Sequence, residues 1–410
     1  MAKDKVVLAY SGGLDTSVIV HWLSQQGYQV IALCLDLGQK VEDLDEILRK
    51  GKKAGAQKVV VQDVTEEFVR DFVFPAIQFN AVYEGAYLLG TSLARPLIAK
   101  AQIELAAKEK AAYVSHGATG KGNDQVRFEL TYYALNPDIR VVAPWKLPAF
   151  FNAYPGRTEL IAYAELHGIP VKATLHKPWS SDENLMHISF EAGMLEDPAQ
   201  APRPDMFELT TDPADAPQQA QQLLIDFEAG LPVAVDGKRM TPAVLLAHLN
   251  KVGGAHGIGR VDMVESRCVG MKSRGVYETP GGTILHTAHR AAESITLDRD
   301  VINLKDSLMP RFARLVYNGF WYSPEMRVLR ALLEESQRPV TAQVRLQLFK
   351  GNCMVTGRSS PFSLYDEAVA SMEDDQGAYN PQDADGFIRL NALTLKAAHK
   401  QDKKRNKAKK

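Results

Sequence analysis

Apolar and polar positions change period along this chain in a way that predicts alternating strands and helices. Val6-Val7-Leu8-Ala9 has strand composition, and the segment from Thr16 to Gln26 sets Val18, Ile19, Trp22 and Leu23 at helical spacing. Val30-Ile31-Ala32-Leu33-Cys34-Leu35 is a continuous apolar run, the pattern of a strand buried on both faces. A helical pattern over 41–54 stops at Gly55, Lys58-Val59-Val60-Val61 predicts a third strand, and a further helix starts at Thr65. A long helix running to about Lys110, a strand over 111–114 and another over 139–143 continue the series. Such alternation implies right-handed crossovers and a parallel sheet with helices on both faces, so the first part is α/β.

The pattern changes between Ala164 and Lys177, where Gly168, Pro170 and Pro178 mark a boundary and a first domain ends near residue 167. Trp179 to Ser189 is polar for its length, and Pro198, Pro202, Pro204, Pro213 and Pro217 follow; the expectation is a loop-rich excursion rather than core. Strands are predicted at 233–235 and 260–265, and helices at 283–294 and at 315–335, the latter interrupted at Pro324. Residues 340–356 alternate, with Val344, Leu346 and Leu348 on one face and a turn at Lys350-Gly351-Asn352, which predicts a hairpin in a mostly antiparallel sheet. The second part is therefore α+β. The tail from Leu390 starts as a helix, but Lys400 to Lys410 carries seven basic residues against Asp402 and is expected to be solvated and frayed.

Composition narrows the class. At 410 residues the chain is too long for one ordinary core. Its 45% apolar and 24% charged residues are those of a soluble globular protein, and a net charge of -1 gives no general attraction to nucleic acid or anionic membrane. Cys34, Cys268 and Cys353 are far apart and odd in number, so neither a disulfide framework nor a thiolate zinc site is indicated, and a cytoplasmic location is expected. Met1 to Lys5 leads into the first strand without a signal-peptide core, and no apolar segment is long enough to span a bilayer.

Two glycine-bearing turns then supply candidate chemistry. Tyr10-Ser11-Gly12-Gly13-Leu14-Asp15-Thr16-Ser17 lies at a strand-to-helix turn, where first-turn N–H groups and the helix dipole attract anions. It has no lysine, so it is not the G-x-x-x-x-G-K-[ST] loop. Asp15 among phosphates calls for a bridging cation such as Mg²⁺. Ser115 to Arg127 repeats the strand, turn and helix with Gly117, Gly120, Gly122, Lys121 and Asn123 or Asp124 at the cap. In such sheets ligands collect beyond the strands' carboxyl ends, where both turns fall. Tyr87, Thr91, Ser92 and Arg95 could meet an amino-acid head group, with Arg95 on its carboxylate; helix capping by Thr91 or Ser92 and a surface arginine is the plainer alternative. Spacing alone leaves Glu265 and Tyr277 as ordinary surface polar residues, and His286 and His289 lack a third metal ligand.

Ala9 to Ser17 resembles the pyrophosphatase loop of enzymes that split ATP into AMP and pyrophosphate, an element that asparagine and GMP synthetases and tRNA-modifying enzymes also carry. Leu89 to Pro96, Ser115 to Arg127, Glu183 to Ser189 and Gly270 to Pro280 look, in order, like the further motifs of the argininosuccinate synthase family, type 1-like, and the likeness covers about residues 4 to 397. A tRNA-modifying pyrophosphatase that adenylates a base is the competing enzyme reading, with the basic tail as its support. The resemblance implies a nucleotide-binding domain over 1–167, a synthetase and multimerisation domain over 168–387, and a C-terminal oligomerisation helix with a basic tail over 388–410, in a homotetramer. It implies a ligase that joins citrulline to aspartate through a citrullyl-adenylate, with no nucleic acid and no membrane as partner. Ala9, Tyr10, Ser11, Gly12, Gly13, Leu14, Asp15, Thr16, Ser17, Leu35 and Gly117 would contact ATP, Leu35 through its backbone, and Asp15 would be the Mg²⁺-side residue. Tyr87, Ser92, Asn123, Arg127, Ser180, Ser189, Glu265 and Tyr277 would hold citrulline. Thr119, Asn123 and Asp124 would hold aspartate, with Asp124 on its ammonium and Lys121 as a further carboxylate partner. Catalytic work is implied for Asp15, Asp124 and Arg127.

Overall fold

The fold is a computed structural model that describes residues 3–39, 44–170, 178–371, 377 and 379–408. The chain divides into two compact units, Met1–Phe362 and Ser363–Lys410.

The first unit opens with β1 (Lys5–Ala9), α1 (Leu14–Gln25), β2 (Gln29–Asp36), α2 (Leu44–Lys53) and β3 (Lys58–Asp63). Then α3 (Thr65–Phe68) passes through a π-helical turn at Val69–Val73 into α4 (Phe74–Gln78), and α5 (Gly90–Glu109), β4 (Tyr113–Ser115), α6 (Asp124–Leu135) and β5 (Arg140–Val142) follow. The five strands form one parallel sheet in the order β3-β2-β1-β4-β5. The α/β expectation holds, and all five strands lie within a residue or two of where the apolar runs put them. Alternate residues of each strand enter different cores. Val7, Ile31, Leu33 and Leu35 join the large core under α5, whereas Val6, Leu8, Val30, Ala32 and Cys34 join a smaller one with α1. That is why these strands read as unbroken apolar runs rather than as alternation. The predicted helix over 41–54 appears as α2; residues 41–43 lie outside the described residues.

After α7 (Pro148–Phe151) and α8 (Arg157–Leu166), the first part of the stretch expected to be a loop-rich excursion is instead a hairpin, β6 (Ser180–Asn184) with β7 (His187–Glu191), whereas the proline-punctuated part over 192–220 is irregular, as expected, apart from short 3-10 turns. Asn184 closes its turn by accepting from the Met186 and His187 amides. The expectation failed because polarity was read as solvent exposure: several of these polar side chains line cavities, and Ile188 and Phe190 on the same hairpin are core. The boundary expected between Ala164 and Lys177 falls partly at 171–177, outside the described residues.

The hairpin belongs to an antiparallel sheet ordered β11-β12-β7-β6, with β11 (Arg260–Ser266) and β12 (Lys272–Glu278). A second antiparallel sheet contains β8 (Gln221–Glu228), β9 (Leu231–Val235), β10 (Lys238–Arg239), β13 (Ala342–Phe349) and β14 (Asn352–Ser359), the last two being the predicted hairpin. Helices α9 (Pro242–Ala255), α10 (Pro280–Thr296), α11 (Arg299–Tyr317) and α12 (Pro324–Gln337) complete the unit. Strand β8, helix α9 and most of α11 were not expected. The helical pattern predicted over 315–335 with an interruption at Pro324 is two helices, parted at 318–323, and α12 starts at Pro324 with Ser323 capping it through the Met326 amide. The large core runs without a break from Val7 and Leu93 to Leu223, Ile225, Val344 and Leu346 on the second antiparallel sheet.

The second unit holds α13 (Glu367–Ala370) and α14 (Pro381–Ala408). The tail expected to fray is helical through Ala408, and α14 carries Phe387, Ile388, Leu390, Leu393 and Leu395 exposed.

Candidate active site

The turn between β1 and α1 is built by its own hydroxyls. Gly12 sits at φ +77°, a conformation that favours glycine, and Gly13 N-caps α1 without a side-chain hydrogen bond. The Ser11 and Thr16 hydroxyls lie 3.0 Å apart, and Ser11 Oγ accepts from the Gly13 amide at 3.3 Å. Ser17 is fully buried, 3.2 Å from the Tyr10 phenol, and holds the turn from inside. The result is a small cup at a helix N-terminus, suited to phosphate oxygens.

This cup forms one wall of a cavity of about 610 Å³, lined by Ala9 to Leu14, Thr16, Leu35 and Gly117. Leu33, Cys34, Gln39, Ile47 and Lys50 complete the far side; none of these was read from sequence as a contact. A second cavity of about 270 Å³ is lined by Tyr87, Thr119, Asn123, Asp124, Arg127, Ser189, Glu265 and Tyr277, so most of the residues expected to hold two amino-acid substrates do converge. Arg95, Gly117, Ala118, Asp124 and Asp182 line both. The two spaces therefore meet along α5, the Gly117 turn and β6.

Five expected contacts stand elsewhere. Asp15, Ser17, Ser92, Ser180 and Lys121 line neither cavity, and the neighbouring Ser181 lines the first cavity rather than the second, where Ser180 was expected. Asp15, foreseen on the metal side, is in the first turn of α1, where burial raises its carboxyl pKa and the Arg157 guanidinium opposes that shift. Ser92 is fully buried inside α5. Helix capping by Thr91 or Ser92 does not occur: the cap is Leu89, at φ +68°, and the Thr91 hydroxyl donates to Asp182 at 3.0 Å.

Arg95 was read as a carboxylate partner for substrate or as a surface residue. It is 15% exposed and bridges two protein carboxylates, Asp124 through Nε at 2.9 Å and Asp182 through Nη2 at 2.8 Å. Arg127 holds the other oxygen of Asp124 at 3.0 Å, donates to the Tyr317 carbonyl at 2.8 Å and lies over the Tyr317 ring. Burial alone would raise the Asp124 pKa, but Arg95 and Arg127 outweigh it and hold the carboxyl below the usual range. With both oxygens taken, Asp124 can receive a substrate ammonium only by sharing with the guanidinium groups.

Asn123 ties the second glycine turn to the far half of the unit. Its amide donates to the Tyr317 hydroxyl at 2.8 Å and its oxygen accepts from the Cys268 amide at 2.9 Å. Glu265 accepts from Tyr277 at 2.6 Å and from Tyr317. Tyr87 stacks on Tyr277 and Tyr83 on Tyr317, giving an aromatic wall, and burial pushes the Tyr87 phenol up to about 12. Asp182 and Glu183 had a sequence signal, an acidic pair inside a polar stretch; Tyr317 had none, because it ends an amphipathic helix like any core aromatic. His289, weighed as a metal ligand, is instead fully buried between Asn80 and Gln337.

A glycine-turn cup joined to an arginine- and tyrosine-walled cavity is found here on two sequence regions that match known families. Residues 5–170 match the family model of the arginosuccinate synthase N-terminal HUP domain, and residues 179–398 that of the arginosuccinate synthase C-terminal domain. Argininosuccinate synthase of Syntrophus aciditrophicus is 58% identical over 395 residues, covering 96% of this chain and 98% of the relative. That of Syntrophotalea carbinolica is 56% identical over 402 residues, 98% of each, and that of Danio rerio 53% identical over 401 residues, 97% of this chain and 96% of the relative. With both halves matched and identity sustained end to end, the chain belongs to the argininosuccinate synthase family.

Proposed function

We propose that this chain condenses citrulline with aspartate, converting ATP to AMP and pyrophosphate. The observation that carries the reading is the shared wall: a nucleotide-sized cavity at a phosphate cup meets an amino-acid-sized pocket at Arg95, Asp124 and Asp182. A ureido oxygen is a weak nucleophile and its carbon a weak electrophile. Joining that oxygen to the α-phosphorus makes the carbon attackable and AMP the leaving group, and this requires both spaces to open on one another. The Ser11 to Thr16 cup would retain the departing pyrophosphate. Leu33, Leu35 and Ile47 offer an apolar slot for the base.

In the second cavity Arg127, Asn123, Glu265 and Tyr277 would orient citrulline, with Tyr87 and Ser189, while Thr119 and Asp124 would hold aspartate. Tyr317 joins the set through Glu265 and Asn123. The functional division near residue 168 goes with this reading, as do a cytoplasmic location and a homotetramer in which the apolar face of α14 is covered by another copy.

Magnesium travelling with ATP needs only one or two protein oxygens. Among the described residues no three His, Cys, Asp or Glu side chains converge on one point, and Glu183 stands on the nucleotide cavity wall. This donor set fits an ion delivered on the phosphates, where it would neutralise their charge, rather than a resident metal. The decisive experiment follows pyrophosphate release from ATP with citrulline and aspartate together, with each alone, and with tRNA. Release that requires citrulline is expected; release that requires tRNA would overturn the reading.

A further inference from the structure

Two carboxylates, Asp124 and Asp182, line both cavities, and they are held differently. Asp124 accepts from Arg95 on one oxygen and from Arg127 on the other. Asp182 accepts on Oδ2 alone, from Arg95 Nη2 at 2.8 Å and from the Thr91 hydroxyl at 3.0 Å. Its Oδ1 takes no hydrogen bond among the described residues, and its side chain is 37% exposed. The other carboxylates near the junction reach one cavity only. Glu183 lines the nucleotide space, while Glu191 and Glu265 line the second cavity and take Arg267 and two tyrosine phenols respectively.

A buried imidazole keeps Asp182 in this pose. Because the Thr91 hydroxyl gives its proton to Asp182, its oxygen must accept from His187 Nε2, 3.0 Å away. That requires the Nε2–H tautomer, and burial, with Arg95 and Arg127 nearby, drives the His187 pKa down to about 3, so the ring stays neutral. His187 is fully buried and is a positioning residue for Thr91 and, through it, for Oδ2.

We propose that Asp182 is the general base of the condensation step, its Oδ1 taking a proton from the α-ammonium of aspartate at the junction of the two cavities. This rests on the reading given under Proposed function. The freed nitrogen lone pair forms the C–N bond to the ureido carbon of the adenylate, and the C–O bond to AMP breaks with its electron pair going to the phosphate. One ammonium proton ends on Asp182, and the second N–H proton lost on forming the guanidinium leaves on the AMP phosphate. Asp124, with both oxygens engaged by guanidinium groups, remains an anchor.

The test is a single-turnover quench of the full-length protein with ATP, citrulline and aspartate, reading pyrophosphate and argininosuccinate in the same samples. In Asp182→Asn the amide oxygen can still accept from Thr91 and Arg95, so pyrophosphate should appear within about threefold of the parent rate, whereas argininosuccinate should fall by roughly 100-fold or more, the usual effect of losing a general base. The residual condensation rate should climb with pH as more aspartate is present as free amine, and Asp182→Glu should recover part of the loss. Equal slowing of both products would overturn the proposal in favour of a structural role through Arg95, and so would undiminished argininosuccinate. A parent protein that makes no pyrophosphate with citrulline would instead overturn the underlying function.

Discussion

Tyr277 on β12 donates its phenol proton to Glu265 on the neighbouring strand β11 at 2.6 Å, and Tyr317 brings a second phenol to the same carboxylate. Two residues on neighbouring strands and a tyrosine from α11, 52 residues beyond Glu265, thus meet on the wall of the second cavity, with Glu265 only 7% exposed. Glu265→Gln removes the charge and places an NH₂ against one phenol. Charge-assisted hydrogen bonds contribute about 1.5–3 kcal/mol, so kcat/KM for citrulline should fall roughly 10- to 100-fold while the KM for ATP stays near the parent value. Steady-state titration of each substrate checks this; an unchanged citrulline dependence would remove Glu265 from the pocket.

Gly117 is the contact between the two glycine turns. A Cβ there would lie 3.1 Å from Thr16 Cγ2 and 3.5 Å from Ile19 Cδ1. Its φ is not left-handed, so crowding rather than backbone strain decides the outcome. Gly117→Ala should push on the phosphate cup and raise the KM for ATP several-fold, in line with overpacking costs of about 1–3 kcal/mol. Isothermal titration with ATP alone separates this from effects on chemistry.

Lys305 and Glu293 form an ion pair in the core, 1% and 2% exposed, with Lys305 also donating to the Gln78 carbonyl and Glu293 accepting from Asn80 and Gln337. Lys305→Met leaves the buried carboxylate with only the half-exposed Arg290, 3.5 Å from its other oxygen, as a cation and should cost about 3 kcal/mol, read as a large drop in the urea midpoint. Replacing both partners by apolar residues should recover much of that loss. If the single variant is as stable as the parent, the pair is not buried in solution.

His289 packs into the same cluster, facing Asn80, Gln337, Glu293, Lys305 and His286. Burial lowers its pKa from 6.5 to about 4, with Lys305 adding to the shift and Glu293 opposing it. A folded pKa below the unfolded one means stability that is present above pH 6.5 and is lost as pH falls from 6.5 toward 4, about 3 kcal/mol across that window. His289→Gln should flatten this part of the curve, whatever it does to absolute stability. Chemical denaturation at several pH values gives the slope.

The helix α14 exposes Phe387, Ile388, Leu390, Leu393 and Leu395 in a span of nine residues, more apolar surface than a helix leaves to water without a partner. Changing Leu390 and Leu393 together to Ser should convert the expected tetramer to smaller species. Analytical ultracentrifugation reads the change, and a parent protein already monomeric at micromolar concentration would contradict it.

The sequence by itself determined the parallel sheet, because strands buried on both faces must be continuously apolar, and it located both glycine turns, because only such residues make a helix start open to an anion. Family motifs then named many of the residues that line the two cavities, but not Leu33, Gln39, Ile47 and Lys50 on the first or Asp182 on both. Tertiary structure alone decided how they are shared. The Arg95 bridge between Asp124 and Asp182 joins residues on α5, α6 and β6, and the carboxylate of Glu265 meets Tyr317 from α11; no local periodicity encodes such meetings. The β6–β7 hairpin was misread for the same physical reason. A strand whose polar side chains face a ligand cavity has the composition of a loop, and only its packing against β12 shows where that polarity points.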